Sequence, residues 1–165
     1  MAYITTPGFA GVDLTVVDTS KKHRLGVEVQ GSDGNTYIYI QANESVDGSI
    51  DQYAACVFYD NGKADELTTG DVGGTLPGKV VVPQVSITHN YYGWAVSKGL
   101  SFSVLAAANC AADVKVYTTS TKGAVDDSAS STDLVEGLRL NAVNGGSTAA
   151  VNGTSAGYIE VNAQD

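Results

Sequence analysis

Several short stretches of this chain carry residue types that could do chemistry. Gly153-Thr154-Ser155-Ala156-Gly157 fits the G-x-S-x-G pattern of a nucleophilic serine. Such a serine needs a preceding strand, a following helix, and an acid and a histidine later in the chain. Both histidines, His23 and His89, lie before it, so the pentapeptide reads as a glycine-rich loop. Gly73-Gly74-Thr75-Leu76-Pro77-Gly78-Lys79-Val80 approaches a phosphate-cradling loop. Valine stands where the magnesium-holding hydroxyl belongs, and the strand-like Val80-Val81-Val82-Pro83 follows where a helix must open. Asp60-Asn61-Gly62-Lys63-Ala64-Asp65-Glu66 is acidic but lacks calcium-loop spacing, and reads as a hairpin turn. Asp126-Asp127 reads as a solvated acidic pair. His89 has no His or Cys at ligand spacing, and no metal site is expected there. Cys56 and Cys110 are far apart and expected to be buried free thiols. No catalytic group, metal or cofactor is expected.

The elements that would position these residues alternate with period two. Tyr37-Ile38-Tyr39-Ile40-Gln41 is a strand covered on both faces. Arg24–Val29 places Leu25, Val27 and Val29 on one face. Asp113–Tyr117 places Val114 and Val116 inward, and Tyr158–Val161 pairs Ile159 with Val161. Turn chemistry at Gly31–Asn35, Asp60–Gly62 and Asn144–Ser147 separates such runs, so residues 25–41 read as a hairpin closed over Gly31–Asn35. Ala106–Ala112 is too short for a stable helix and reads as a loop or one turn, and 126–132 as a surface loop. Strands spaced by turns, without helices between them, predict an all-β fold: a single β-barrel or sandwich-like domain over 21–165 with an extended N-terminal arm. Residues 1–20 serve either as a first strand, with Leu14 and Val16 inward, or as an arm burying Tyr3, Ile4, Pro7 and Phe9 against another chain. A composite places Val12–Val17 in the sheet.

The chain has 165 residues, 9 basic and 18 acidic, for a net charge of −9. That balance argues against nucleic acid as a partner, because little would neutralise phosphates. No apolar run reaches the length of a membrane helix, so no membrane partner is expected. The N-terminus lacks a basic region followed by an apolar core and is not expected to be an export signal. Accordingly Asn43-Glu44-Ser45 and Asn152-Gly153-Thr154 read as plain loop sequence. Lys21-Lys22-His23-Arg24 is the one basic cluster: a solvated start to a strand, or a dock for an acidic surface. Tyr91, Tyr92 and Trp94 surround Gly93, which lets a neighbour approach or bulges the strand. Trp94 and Val96 share a face, either in the core or, with the tyrosines, in a subunit interface.

From Arg24-Leu-Gly-Val-Glu-Val-Gln-Gly-Ser-Asp-Gly-Asn35-Thr-Tyr37-Ile-Tyr39, the order continues through Val80–Gly99 with Tyr91-Tyr92-Gly93-Trp94. Then come Phe102-Ser-Val, Asp113–Asp127, Leu134–Leu138 and Gly145–Ala149. Over residues 24–163 this order resembles the decoration, or cement, proteins of tailed-bacteriophage capsids. The resemblance implies a non-enzymatic β-barrel, commonly a homotrimer, on the outer surface of a virion assembled in the host cytoplasm. Its implied partner is the phage major capsid protein, bridged around local three-fold positions. Tyr3, Ile4, Pro7, Phe9, Lys21, Lys22, Arg24, Tyr91, Tyr92 and Trp94 are the candidate capsid or subunit contacts. The alternative is a non-catalytic carbohydrate-binding β-sandwich whose tyrosines and Trp94 stack on sugar rings.

Overall fold

The computed structural model describes residues 11–43, 48–69, 78–128, 133–155, 157 and 159–163. Tyr3, Ile4, Pro7 and Phe9, and most of the Gly73–Val80 loop, lie outside them. Fourteen strands occur among the described residues. They are β1 (Glu28–Gln30), β2 (Thr36–Ala42), β3 (Ser49–Ile50), β4 (Cys56–Phe58), β5 (Lys63–Glu66), β6 (Gly78–Pro83) and β7 (Ile87–Thr88). The remainder are β8 (Tyr92–Ala106), β9 (Val116–Thr118), β10 (Val125–Asp126), β11 (Asp133–Glu136), β12 (Arg139–Leu140), β13 (Ala149–Ser155) and β14 (Ile159–Ala163). The fold is all-β, a closed barrel with extra strands, as the alternation predicts. No helix among the described residues is long and apolar enough to cross a membrane.

Closure depends on β8, which pairs with β2 and β13 and also with β6 and β10. One ring of pairings runs β2-β5-β4-β6 and returns through β8 to β2. A second runs β6-β14-β11-β9-β10 and returns through the same β8. Because side chains alternate across a strand, the shared strands face two cores. Ile38, Ile40, Cys56, Ala64, Val81 and Ala95 form the smaller one, with Ile50 and Ile87 from the β3–β7 pair packed into it. Tyr37, Tyr39, Val80, Val82, Trp94, Val96, Phe102 and Val104 belong to the larger one. Each aliphatic side chain fully withdrawn from water contributes about 1.5–3 kcal/mol.

Two irregularities keep β8 in phase with both cores. Ser97 is the extra residue between the Lys98–Thr36 and Val96–Tyr37 pairs, and its hydroxyl donates to Thr36 O. A second shift between Gly99 and Phe102 leaves Leu100 largely exposed. Phe102, Val104 and Ala106 therefore face the same core as Trp94 and Val96. The expected hairpin is present: Glu28 pairs with Ile38 and Gln30 with Thr36, closed by Gly34 at φ 85°. Val80, Val81 and Val82 are fully buried. Ala107–Cys110 forms a turn, closed by a hydrogen bond from Cys110 N–H to Ala107 O.

Two strand readings need correction. Residues 12–17 do not run as a strand, because Asp13 Oδ1 accepts both the backbone N–H and the hydroxyl of Thr15 and turns the chain. Leu14 is buried as expected, but Val16 is 48% exposed. Val114 is likewise outside rather than inward. Asp113 adopts φ 58° with its N–H on Leu140 O, so regular pairing starts only at the buried Val116. In addition, Asn152 of the second sequon lies within β13 rather than a loop.

Close approach explains two glycines of β8. A Cβ on Gly93 would stand 2.7 Å from Ile87 Cδ1, the end of a flexible side chain. On Gly99 it would stand 1.9 Å from Asn35 Oδ1. Asn35 is buried and fixed by donating Nδ2 to Asp33 Oδ2 and Ser101 O, so it has little room to move. Gly99→Ala is expected to cost about 1–3 kcal/mol, and Gly93→Ala less. Urea midpoints of the two variants test this; the reverse order would show that Asn35, not Ile87, gives way.

Candidate interaction surface around Lys21–Arg24

Alternation along β2 turns Tyr39 away from Ile38 and Ile40, and cross-strand pairing sets it opposite Trp94 of β8. The two rings lie 4.9 Å apart at a tilt, and Tyr92 stacks on Tyr39 at 6.2 Å. The chain segment before β1 closes over this pair. Asp18 exchanges both backbone hydrogen bonds with Tyr92, at 2.8 and 2.9 Å. The Tyr39 hydroxyl donates to Asp18 Oδ2 at 2.7 Å and accepts from Lys22 N–H at 3.3 Å. His23 meets the edge of Tyr39 at 5.0 Å and lies 5.3 Å from Trp94. Burial, then the hydrogen bond to Asp18, pushes the Tyr39 phenol pKa upward, so it remains a donor at physiological pH.

The basic segment is thereby seated on an aromatic base while Lys21, Lys22 and Arg24 stay exposed. Beside Arg24 opens a cavity of about 440 Å³ between two turns, with Leu25, Val27 and Phe58 in its walls and Asp60 and Asn61 at its rim. The turns are locked together: Gly62 has φ 83°, and a Cβ there would fall 2.4 Å from Leu25 Cβ. A larger open groove of about 590 Å³ lies between the approach to β9 and the β11–β12 turn. Its charges are mixed, with Lys115 and Arg139 alongside Asp113 and Glu136.

Candidates from distant parts of the sequence thus converge. The segment that carries Lys21, Lys22 and Arg24 is tied to β8 through Asp18 on Tyr92 and His23 against Trp94, and Tyr91, at 37% exposure, lies just before β8. Trp94 is corrected as a contact residue: at 1% exposure its surface is taken up within the chain by Tyr39 and His23. His23 is corrected too, being half-buried against rings rather than solvated. Asp18 and Tyr39, which hold the segment, carry no local signal. Their bond spans 21 positions, and only the pairing of β2 with β8 reveals it.

The other chemical motifs resolve into structure. Ser155 is buried in β13, beside the register shift, and its hydroxyl donates to Gly157 O. Lys79 lies within β6 and forms an ion pair with Glu28. Asp60–Gly62 closes the β4–β5 hairpin, Gly62 N–H bonding Tyr59 O. Both cysteines are free and buried. Asp126 and Asp127 are corrected from a solvated pair: both are half-buried, and with Cys110 their ligand atoms lie within 4.8 Å of one another. Asp127 Oδ2 accepts Ala111 N–H at 3.0 Å.

No described protein family matches this sequence, and no curated protein or solved structure shows significant similarity to it.

Two measurements test this geometry. Tyr39→Phe removes the donor to Asp18 and the acceptor for Lys22 N–H, and is expected to cost about 1–3 kcal/mol. Faster hydrogen exchange at the Lys22 amide should accompany it; unchanged exchange would show that the phenol does not hold the segment. Burial first, then the Asp127 and Asp126 carboxylates, lifts the Cys110 thiol from an ordinary 9.0 to about 11. The fold thus favours the neutral thiol, a contribution complete below pH 9 and lost as pH rises to about 11. Wild type should lose more stability than Cys110→Ala across that window, and an equal loss would contradict the assignment.

Proposed function

We propose that this protein is a structural virion component that binds the outer surface of a tailed-phage capsid and bridges major capsid protein subunits. The carrying observation is the Lys21, Lys22 and Arg24 cluster, exposed and held in place on the Tyr39–Trp94 base of a chain with net charge −9. A rigid basic loop loses little conformational entropy on meeting an acidic surface. Confining it to one place on an acidic body orients the encounter. The order of motifs from Arg24 to the Gly145–Ala149 stretch adds the resemblance to decoration proteins. As a trimer at local three-fold positions, the protein would add several weak contacts through effective concentration. Rupture of the shell would then require breaking them together.

The sugar-binding alternative loses its main stacking ring, since Trp94 is buried, as are Tyr37 and Tyr39.

Purified protein mixed with undecorated cognate shells is expected to sediment with them. Replacing Lys21, Lys22 and Arg24 by serine should weaken binding at least tenfold and flatten its salt dependence. Failure of the wild-type protein to sediment with shells at any salt concentration would refute the reading.

A further inference from the structure

Strands β2 and β5 run parallel, with Gln41 opposite Lys63 and Ala42 opposite Ala64. The ladder continues one step, Asn43 N–H bonding Ala64 O at 2.9 Å. Ala42 and Ala64 point into the smaller core, so Lys63, Asp65 and Asn43 share the opposite face. There the three side chains form a line. Lys63 Nζ donates to Asn43 Oδ1 at 3.1 Å, and Asn43 Nδ2 donates to Asp65 Oδ2 at 3.0 Å. All three are half-buried. The β4 side of β5 adds apolar neighbours, with Val57 opposite Asp65 and Tyr59 N–H bonded to Lys63 O. Asp65 Oδ1 is buried with no hydrogen-bond partner among the described residues. A buried carboxylate oxygen without a donor is costly.

This is an amine, a carboxamide and a carboxyl in the order needed for amide exchange. We propose that Lys63 and Asn43 become joined by an intramolecular isopeptide bond, formed by the protein itself with Asp65 carrying the proton. The reading is independent of what the barrel binds. The Lys63 ammonium first gives a proton to the Asp65 carboxylate, leaving a neutral amine and a carboxylic acid. The amine lone pair attacks Asn43 Cγ, whose carbonyl oxygen already accepts the Lys63 hydrogen bond. A C–N bond forms and the carbonyl π electrons move to oxygen. Asp65, hydrogen-bonded to Nδ2, protonates that nitrogen, and the Cγ–Nδ2 bond breaks as the carbonyl re-forms. The proton left on the new amide nitrogen departs with the ammonia as ammonium. Asp65 returns to carboxylate, and no oxidant or external reactant is consumed. Fixing the groups on adjacent strands supplies the proximity that makes so sluggish an exchange feasible.

Intact-mass spectrometry of the full-length, denatured protein tests this. The expected mass is about 17 Da, one ammonia, below the sequence mass. Proteolysis should release a branched peptide joining the Asn43 and Lys63 segments. That peptide separates the cross-link from ammonia loss at an Asn-Gly step such as Asn61-Gly62. Lys63→Arg and Asp65→Asn should each restore the full mass, the first for want of a nucleophile and the second for want of a proton carrier. Linear Asn43 and Lys63 peptides at full yield from the folded wild-type protein would overturn the proposal, whatever the variants do. A branched peptide persisting in Asp65→Asn would overturn the role given to Asp65.

Discussion

The fold rests on one strand having to serve four neighbours. From Tyr92 to Ala106, β8 is paired along both edges at different points of its length, and its two faces look into two cores. A strand so enclosed is buried over most of its first half, Gly93 to Ser97, and must be small wherever another backbone or side chain crosses it. Gly93 and Gly99 meet that requirement against Ile87 and Asn35. It must also twist enough to pass from one partner set to the next, and the extra residues at Ser97 and Leu100 supply the local bend. The cost of this arrangement is seen at Leu100, which the second irregularity turns out into water.

The aromatic base under Lys21–Arg24 follows from the same constraint. Because β2 and β8 pair in register, Tyr39 and Trp94 are forced side by side, and their remaining exposed edge needs a cover. The segment from Asp18 to His23 provides it, using one carboxylate, one amide and one imidazole ring. The polypeptide that seals the core therefore also presents the positive charge. Packing and recognition are carried by adjacent atoms of one short segment, so Lys21, Lys22 and Arg24 are held in place without being buried.

What the sequence disclosed was local. The Gly31–Asn35 turn, the valines of β6, the Asp60–Gly62 turn and the close approach at Gly93 could all be read from a few neighbouring residues, because turn chemistry and alternation act over that range. The features it hid are set by pairing between distant strands. Nothing near Asp126 announces Cys110, nothing near Asn43 announces Asp65, and nothing near Asp18 announces Tyr39. Val16 and Val114 misled for the opposite reason. Each sits in an alternating pattern that a single preceding residue, Asp13 or Asp113, interrupts through its own backbone geometry.

Strand β14 lies between β6 and β11, with Ile159 opposite Val80 and Val135 opposite Val161. On the ribosome, then, the second ring stays open until β14 has emerged. Until that moment β6 and β11 each carry an unpaired row of amides and carbonyls, the kind of edge that other nascent chains can capture. Any slowing of translation between β11 and β14 would prolong this exposed stage of folding.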